Sequence, residues 1–158
     1  MQQDEMAADQ AAQVALDLQT SCLGVRIGRL NRLVGRRFDH ALRPLGLSIA
    51  QMEVLGALML NESPPRPADL AQWLAVERST MSRNLALMEK HGYVRTTETS
   101  PTGRSQRVTI TREGQIALGR AEQAWRQAQD SIIGQLGGHS VATLDSWLES
   151  LARAQPGR

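Results

Sequence analysis

Residues 67–114 read PADLAQWLAVERSTMSRNLALMEKHGYVRTTETSPTGRSQRVTITREG, and this stretch decides the fold. Two short helical patterns are followed by two strand patterns joined by a Pro/Gly/Arg tip. That order predicts a helix-turn-helix followed by a β-hairpin wing. Such a module can set one helix in the DNA major groove and an arginine in the adjacent minor groove.

The helical patterns can be placed from their punctuation. Pro67 suits the first turn of a helix, where its missing N–H has no helical partner anyway. Leu70, Ala71 and Leu74 form the inner face of that helix. A turn near 75–77 leads into a second helix running to about His91, where Gly92 supplies a left-handed stop. On this second helix Met81, Leu85 and Met88 share one face. The opposite face carries Ser79, Arg83, Ala86 and Lys90, flanked by Thr80 and Ser82. Small hydroxyls near a helix N-terminus permit close approach to phosphates and base edges. Arg83 is long enough to grip a guanine edge with two hydrogen bonds. Asn84 lies nearer the packed side. Strands are expected near 93–98 and 105–110, with Val94, Val108 and Ile110 facing inward. Between them Pro101 and Gly103 form a tight tip from which Arg104 projects, with Ser105 beside it.

Working outward, apolar residues Leu23, Ile27, Leu30, Val34, Phe38 and Leu42 recur at spacings of three and four, predicting one helix from about Leu16 to Leu42. Residues 1–15 read as a flexible arm. Pro44 and Gly46 stop the first helix, and Ser48 with Gln51 forms a capping-box pattern that starts the next. Thr111 can cap a long helix to about Leu136, with Leu118, Ala121, Trp125, Ala128 and Ile132 along one seam. Gly137 and Gly138 break it. Ser140 can cap a last helix carrying Val141, Leu144, Leu148 and Leu151. The sum is a mainly α protein, six helices and one hairpin.

Composition narrows the function classes. The chain has 158 residues, 41% of them apolar, which suits one globular domain. No apolar run approaches the roughly 18 residues of a membrane span, and the acidic start MQQDE lacks the basic opening of a signal peptide. A cytoplasmic location is expected. One cysteine, Cys22, excludes an internal disulfide and a multi-cysteine metal site. The net charge of +2 hides an asymmetry: residues 1–20 hold four acids and no base, and the rest holds 18 bases against 12 acids. All bases but Lys90 are arginines, which suit bidentate phosphate and guanine recognition. A GC-rich codon bias explains the same preference equally well. No His-Glu-x-x-His, phosphate-cradling glycine loop or Gly-x-Ser-x-Gly occurs, and His40, His91 and His139 are scattered. No catalytic residue, metal or cofactor is expected.

Three segments carry a family resemblance: LRPLGLSIAQMEVL (42–55), ADLAQWLAVERSTMSRNLALMEKHGYVR (68–95) and TGRSQRVTITREG (102–114). The chain resembles the MarR family of winged helix-turn-helix transcriptional regulators over about residues 20–153. The last segment is similar to the family's wing signature, Asp-x-Arg-[Ala/Ser]-x-x-Val-x-Leu-Thr-x-x-Gly, at Arg104, Ser105, Val108, Thr111 and Gly114. Thr102 replaces the leading Asp, whose salt bridge usually orients the wing arginine, and Ile110 replaces the Leu.

The resemblance implies a homodimer whose N- and C-terminal helices interlock, so that residues 16–47 and 111–153 dimerise and 48–110 form the DNA-binding lobe of one intertwined domain. A twofold dimer reads a pseudo-palindromic operator with half-sites roughly 10 bp apart. It also implies a regulator, more commonly a repressor, released by a small phenolic or anionic aromatic effector. Ser79, Thr80, Ser82, Arg83, Lys90, Arg104 and Ser105 are the expected DNA contacts. Arg29 and Arg32, where some relatives hold an aromatic carboxylate, and Met52 are the expected effector contacts. Cys22 raises an alternative, redox sensing. It lies earlier in the helix than the cysteine of peroxide-sensing relatives, and the only tyrosine, Tyr93, belongs to the hairpin. A winged-helix module that binds another protein is a further alternative.

Overall fold

The computed structural model of the chain describes residues 2–98 and 106–153. Its elements run α1 (Gln2–Thr20), α2 (Leu23–Leu42), a 3-10 turn (Arg43–Leu45), α3 (Ile49–Leu60), α4 (Pro67–Trp73), α5 (Arg78–Lys90), β1 (Val94–Glu98), β2 (Gln106–Ile110), α6 (Arg112–Leu136) and α7 (Ser140–Arg153). Two compact units result, Met1–Arg37 and Phe38–Arg158.

In the first unit the structure departs from the sequence expectation. Residues 2–15 lie in α1, and the single helix expected from Leu16 to Leu42 is divided between α1 and α2. Residues 2–20 are rich in Ala and Gln, contain no Gly or Pro, and place Glu5 near the positive end of the helix. The break follows from hydroxyls that compete for backbone carbonyls. Thr20 Oγ1 donates to Leu16 O (2.8 Å) and Ser21 Oγ to Asp17 O (2.8 Å). Ser21 N and Cys22 N then converge on the same Asp17 carbonyl, and Arg26 reaches back to Thr20 O across the joint. The described residues thus contain seven α-helices, α1 being the one the periodicity left unassigned.

The second unit holds the core. Phe38 and Leu42 at the end of α2 are buried, as are Leu47, Val54, Leu55 and Leu58 around α3. Gly46, at φ +72°, ends the 3-10 turn. The expected capping box starts α3: Gln51 N donates to Ser48 Oγ (3.3 Å) and Ser48 N to Gln51 Oε1 (3.0 Å). Asp39 Oδ1 accepts from Ile49 N (2.8 Å), so α2 supplies a second acceptor for the orphan amides of α3.

Pro67 opens α4 as expected. Its helix packs Leu70 and Ala71 against Met81, Leu85 and Met88 of α5, all buried. The turn between them passes through Ala75 at φ +51°, a left-handed conformation without glycine. Val76 N donates to Ala71 O (2.9 Å), closing the end of α4. Gly92, at φ +74°, ends α5.

The hairpin pairs Val94 with Ile110, Thr96 with Val108 and Glu98 with Gln106, antiparallel. Val94 and Val108 are buried and Ile110 half-buried, the three residues expected to face inward. The connection 99–105, with Pro101, Thr102, Gly103, Arg104 and Ser105, lies outside the described residues.

Thr111 caps α6 by accepting from Gly114 N (3.0 Å). Along the predicted seam Ala121 and Ile132 are buried, while Leu118, Trp125 and Ala128 are half-buried. Gly137 stops α6. Ser140 does not cap α7 as expected. It is the first helical residue, and its hydroxyl has no hydrogen-bond partner. Every apolar residue of the α7 stripe is exposed, Leu148 by 66% and Leu151 by 65%.

Candidate nucleic-acid interface

The helix-turn-helix presents α5 by burying only one of its faces. Met81 is 2% and Met88 0% exposed, while Ser79, Thr80, Ser82, Arg83, Ala86 and Lys90 are exposed on the other side. Asn84 is half-buried and donates from Nδ2 to Ala50 O (3.4 Å), so it braces α5 against α3, on the packed side where the sequence put it. Arg83 folds along its own helix, Nε donating to Ser79 O (3.3 Å). That bond is weak and exposed, so the guanidinium can be released toward a base edge at small cost.

The N-terminus of α5 has no side-chain cap. Glu77 precedes it in extended backbone and makes no cap hydrogen bond. The first-turn amides and the positive end of the helix dipole are available to an anion. They lie on a cleft of about 890 Å³ lined by Arg66, Gln72, Arg78 and Ser79, among others. Arg66 adds charge to this cleft but is already committed, its Nη2 2.7 Å from Asp69 Oδ1. Asp69 also accepts from Arg66 N (2.9 Å), capping α4. The Arg66 side-chain hydrogen bond, then its backbone bond and the charges of Arg66 and Arg107, hold the Asp69 carboxyl down at about 2.

The hairpin is tied to α5 and to the loop before α4. At the rung Thr96–Val108 both outward amides are occupied. Thr96 N donates to Glu89 Oε1 (2.8 Å), from the last turn of α5. Val108 N donates to Pro65 O (2.9 Å), from the loop before α4, and Arg107 Nη1 reaches Pro64 O (3.3 Å). At the root, Thr111 Oγ1 lies 2.6 Å from Gly92 O and 3.1 Å from Tyr93 O. The Thr-x-x-Gly part of the wing signature therefore fastens α6 to the end of α5.

The sequence reading missed Glu89, Asp69 and Arg107. Glu89 did leave a signal, because an acid in the last turn of a helix opposes the helix dipole and needs another partner.

The remaining expected residues are distributed between the two units. Arg29 and Arg32 are exposed on α2 in the first, and Met52 is half-buried on α3 in the second. Cys22 is partly exposed at the joint between α1 and α2. Among the described residues no helix is long and apolar enough to cross a membrane, and no cluster of three His, Cys, Asp or Glu could hold a metal ion.

Comparison with known proteins agrees with this geometry. A family model described as MarR family matches residues 45–105. An HTH-type transcriptional repressor of Mycobacterium tuberculosis, Rv2887, is 29% identical over 130 residues, covering 82% of this chain and 92% of that protein. The crystal structure of the M. tuberculosis transcriptional regulator MosR superposes with a TM-score of 0.69 at 30% identity, over 83% of this chain and 98% of MosR. The transcriptional repressor CouR bound to a 23-mer DNA duplex superposes at 0.71 with 27% identity, over 85% of this chain and 95% of CouR. CouR bound to p-coumaroyl-CoA does so at 0.73 with 26% identity, over 88% and 96%.

Proposed function

The chain belongs to the MarR family of transcriptional regulators, and from that premise we propose that it is a repressor that binds a pseudo-palindromic operator as a homodimer. The observation that carries this reading is the divided surface of α5. One face is spent on Met81, Leu85 and Met88, and the other offers Ser79, Thr80, Ser82, Arg83 and Lys90. Ser79 and Thr80 serve phosphates near the helix N-terminus, and Arg83 reads a base edge. Arg104 and Ser105 extend the contact into the minor groove. The DNA-binding lobe is 48–110.

Residues 16–47 and 111–153 form the dimer. Val141, Leu144, Trp147, Leu148 and Leu151 support it, because they form an apolar stripe at helical spacing that leaves α7 exposed in a single chain. The regulator works in the cytoplasm.

A small aromatic anion is the proposed effector, with Arg29 and Arg32 proposed to hold its negative charge. CouR, which binds DNA and p-coumaroyl-CoA, gives precedent for such pairing. The effector must favour the dimer conformation that misplaces α5 for DNA; equal affinity for both conformations would shift nothing.

The test is a gel shift with the DNA upstream of its own gene against random DNA of equal length. A preference for the first, with affinity falling steeply as salt rises, is expected. Equal affinity for both at every salt concentration would overturn the reading.

A further inference from the structure

We propose that Glu89 is a positioning residue that sets the wing against the recognition helix. The proposal rests on the DNA-binding reading above and deepens it. Burial of Val94 and Val108 anchors one face of the hairpin. On β1, Thr96 is half-buried, while Arg95, Thr97 and Glu98 around it are exposed. A cleft of about 320 Å³ separates α5 from this part of the hairpin, with Ser82, Ala86 and Glu89 on one wall and Thr96, Glu98 and Gln106 on the other. Glu89 spans it with its 2.8 Å bond to Thr96 N. A carboxylate acceptor makes this a charge-assisted bond, stronger than a neutral one.

The geometry also explains an otherwise unfavourable residue. Glu89 stands beside Lys90, one residue from the proposed phosphate-facing side, and in the turn where the helix dipole disfavours an acid. Repulsion from DNA and from the dipole both work against it. Its hydrogen bond to the wing is the compensating gain. Val108 N, directly opposite Thr96 in the register, is held by Pro65 O from the start of the helix-turn-helix. One rung of the hairpin is thus tied to both sides of the module, and Arg104 is carried on the connection beyond that rung. Loss of the Glu89 bond frees the β1 side alone.

The experiment compares Glu89→Ala and Glu89→Gln with the native protein in two measurements. In the free protein, hydrogen exchange by NMR should accelerate about tenfold at the Thr96 amide in Glu89→Ala and stay within about twofold in Glu89→Gln, whose amide oxygen keeps the bond. The Val108 amide should be unchanged in both. With the DNA upstream of its own gene, Glu89→Ala should lose hydroxyl-radical protection at the flanking minor grooves while keeping the central major-groove contacts. Glu89→Gln should keep both, and should bind more tightly because it removes a charge facing phosphate. Unaltered Thr96 exchange in Glu89→Ala would overturn the clamp. Accelerated exchange with intact flanking protection would overturn its positioning role. A native protein that protects no DNA would count against the regulator reading, and Thr96 exchange would still judge the clamp.

Discussion

A Cβ placed on Gly114 would lie 2.2 Å from the carbonyl oxygen of Tyr93 and 2.9 Å from Ile110 Cγ1. The first turn of α6 therefore touches the backbone that leaves α5, and only a residue without a side chain fits. Gly114→Ala should cost about 1–3 kcal/mol, the usual range for overpacking, because backbone and not a flexible side chain must move. Urea unfolding monitored by circular dichroism would measure it. A variant as stable as the native protein would show that the contact relaxes freely.

Ala75 predicts a change of the opposite sign. Its φ of +51° places a Cβ in left-handed backbone, a strain of about 1–2 kcal/mol that glycine avoids. Glycine costs some of that gain by loosening the unfolded chain. Ala75→Gly should raise stability by up to about 1 kcal/mol, read as a higher urea midpoint at unchanged slope.

Arg83 and Arg104 should separate in their effects on DNA. Arg83→Ala removes the proposed base-edge reader and should relax discrimination at one operator position by about 1–3 kcal/mol. Arg104→Ala should weaken binding to many sequences more evenly and lower the salt slope by about one. Competition assays against single-base operator variants would tell them apart. Equal loss of specificity in both variants would contradict this division of labour.

Asp69 gives a pH dependence with a definite sign. Its carboxyl is held at about 2, below the ordinary 3.8, by Arg66 first. The stabilisation is therefore complete above about pH 4 and disappears as pH falls toward about 2. Asp69→Asn lacks this titration. The melting-temperature gap between native protein and variant should be constant from pH 7 to about pH 5 and close below about pH 4. A gap that widened on acidification would reverse the assignment.

Leu148, 66% exposed on α7, tests the dimer. Leu148→Glu would bury a charge in the proposed interface and should weaken dimerisation about a hundredfold or more. Sedimentation velocity would show the native chain as a dimer and the variant shifted to monomer. A native chain that sediments as a monomer would remove the reading at once.

What the sequence revealed depended on whether the signal was local. Pro67, the Ser48–Gln51 box, Gly92 and Thr111 are punctuation, each read from neighbours within one turn, and each stands where expected. The alternation at Val94 and Val108 and the apolar face Met81–Leu85–Met88 were legible because burial follows period. The division between α1 and α2 was not, since it arises from side-chain hydroxyls returning to Leu16 and Asp17 within a pattern whose apolar period continues unbroken. Glu89 and Pro65 were equally hidden. Their partners Thr96 and Val108 are remote or set by the hairpin register, which only the fold brings into reach.

The occupied rung of the hairpin has one more consequence, for solubility. A two-stranded sheet consists entirely of edges, and an edge with unpaired amides is a template on which another chain can add a strand. At Thr96 and Val108 those amides already donate to Glu89 and Pro65, one on each side. At this rung an incoming strand finds both donors spent and, on one side, a carboxylate standing in its path. The contacts that hold this rung in place also oppose the addition of a further strand there.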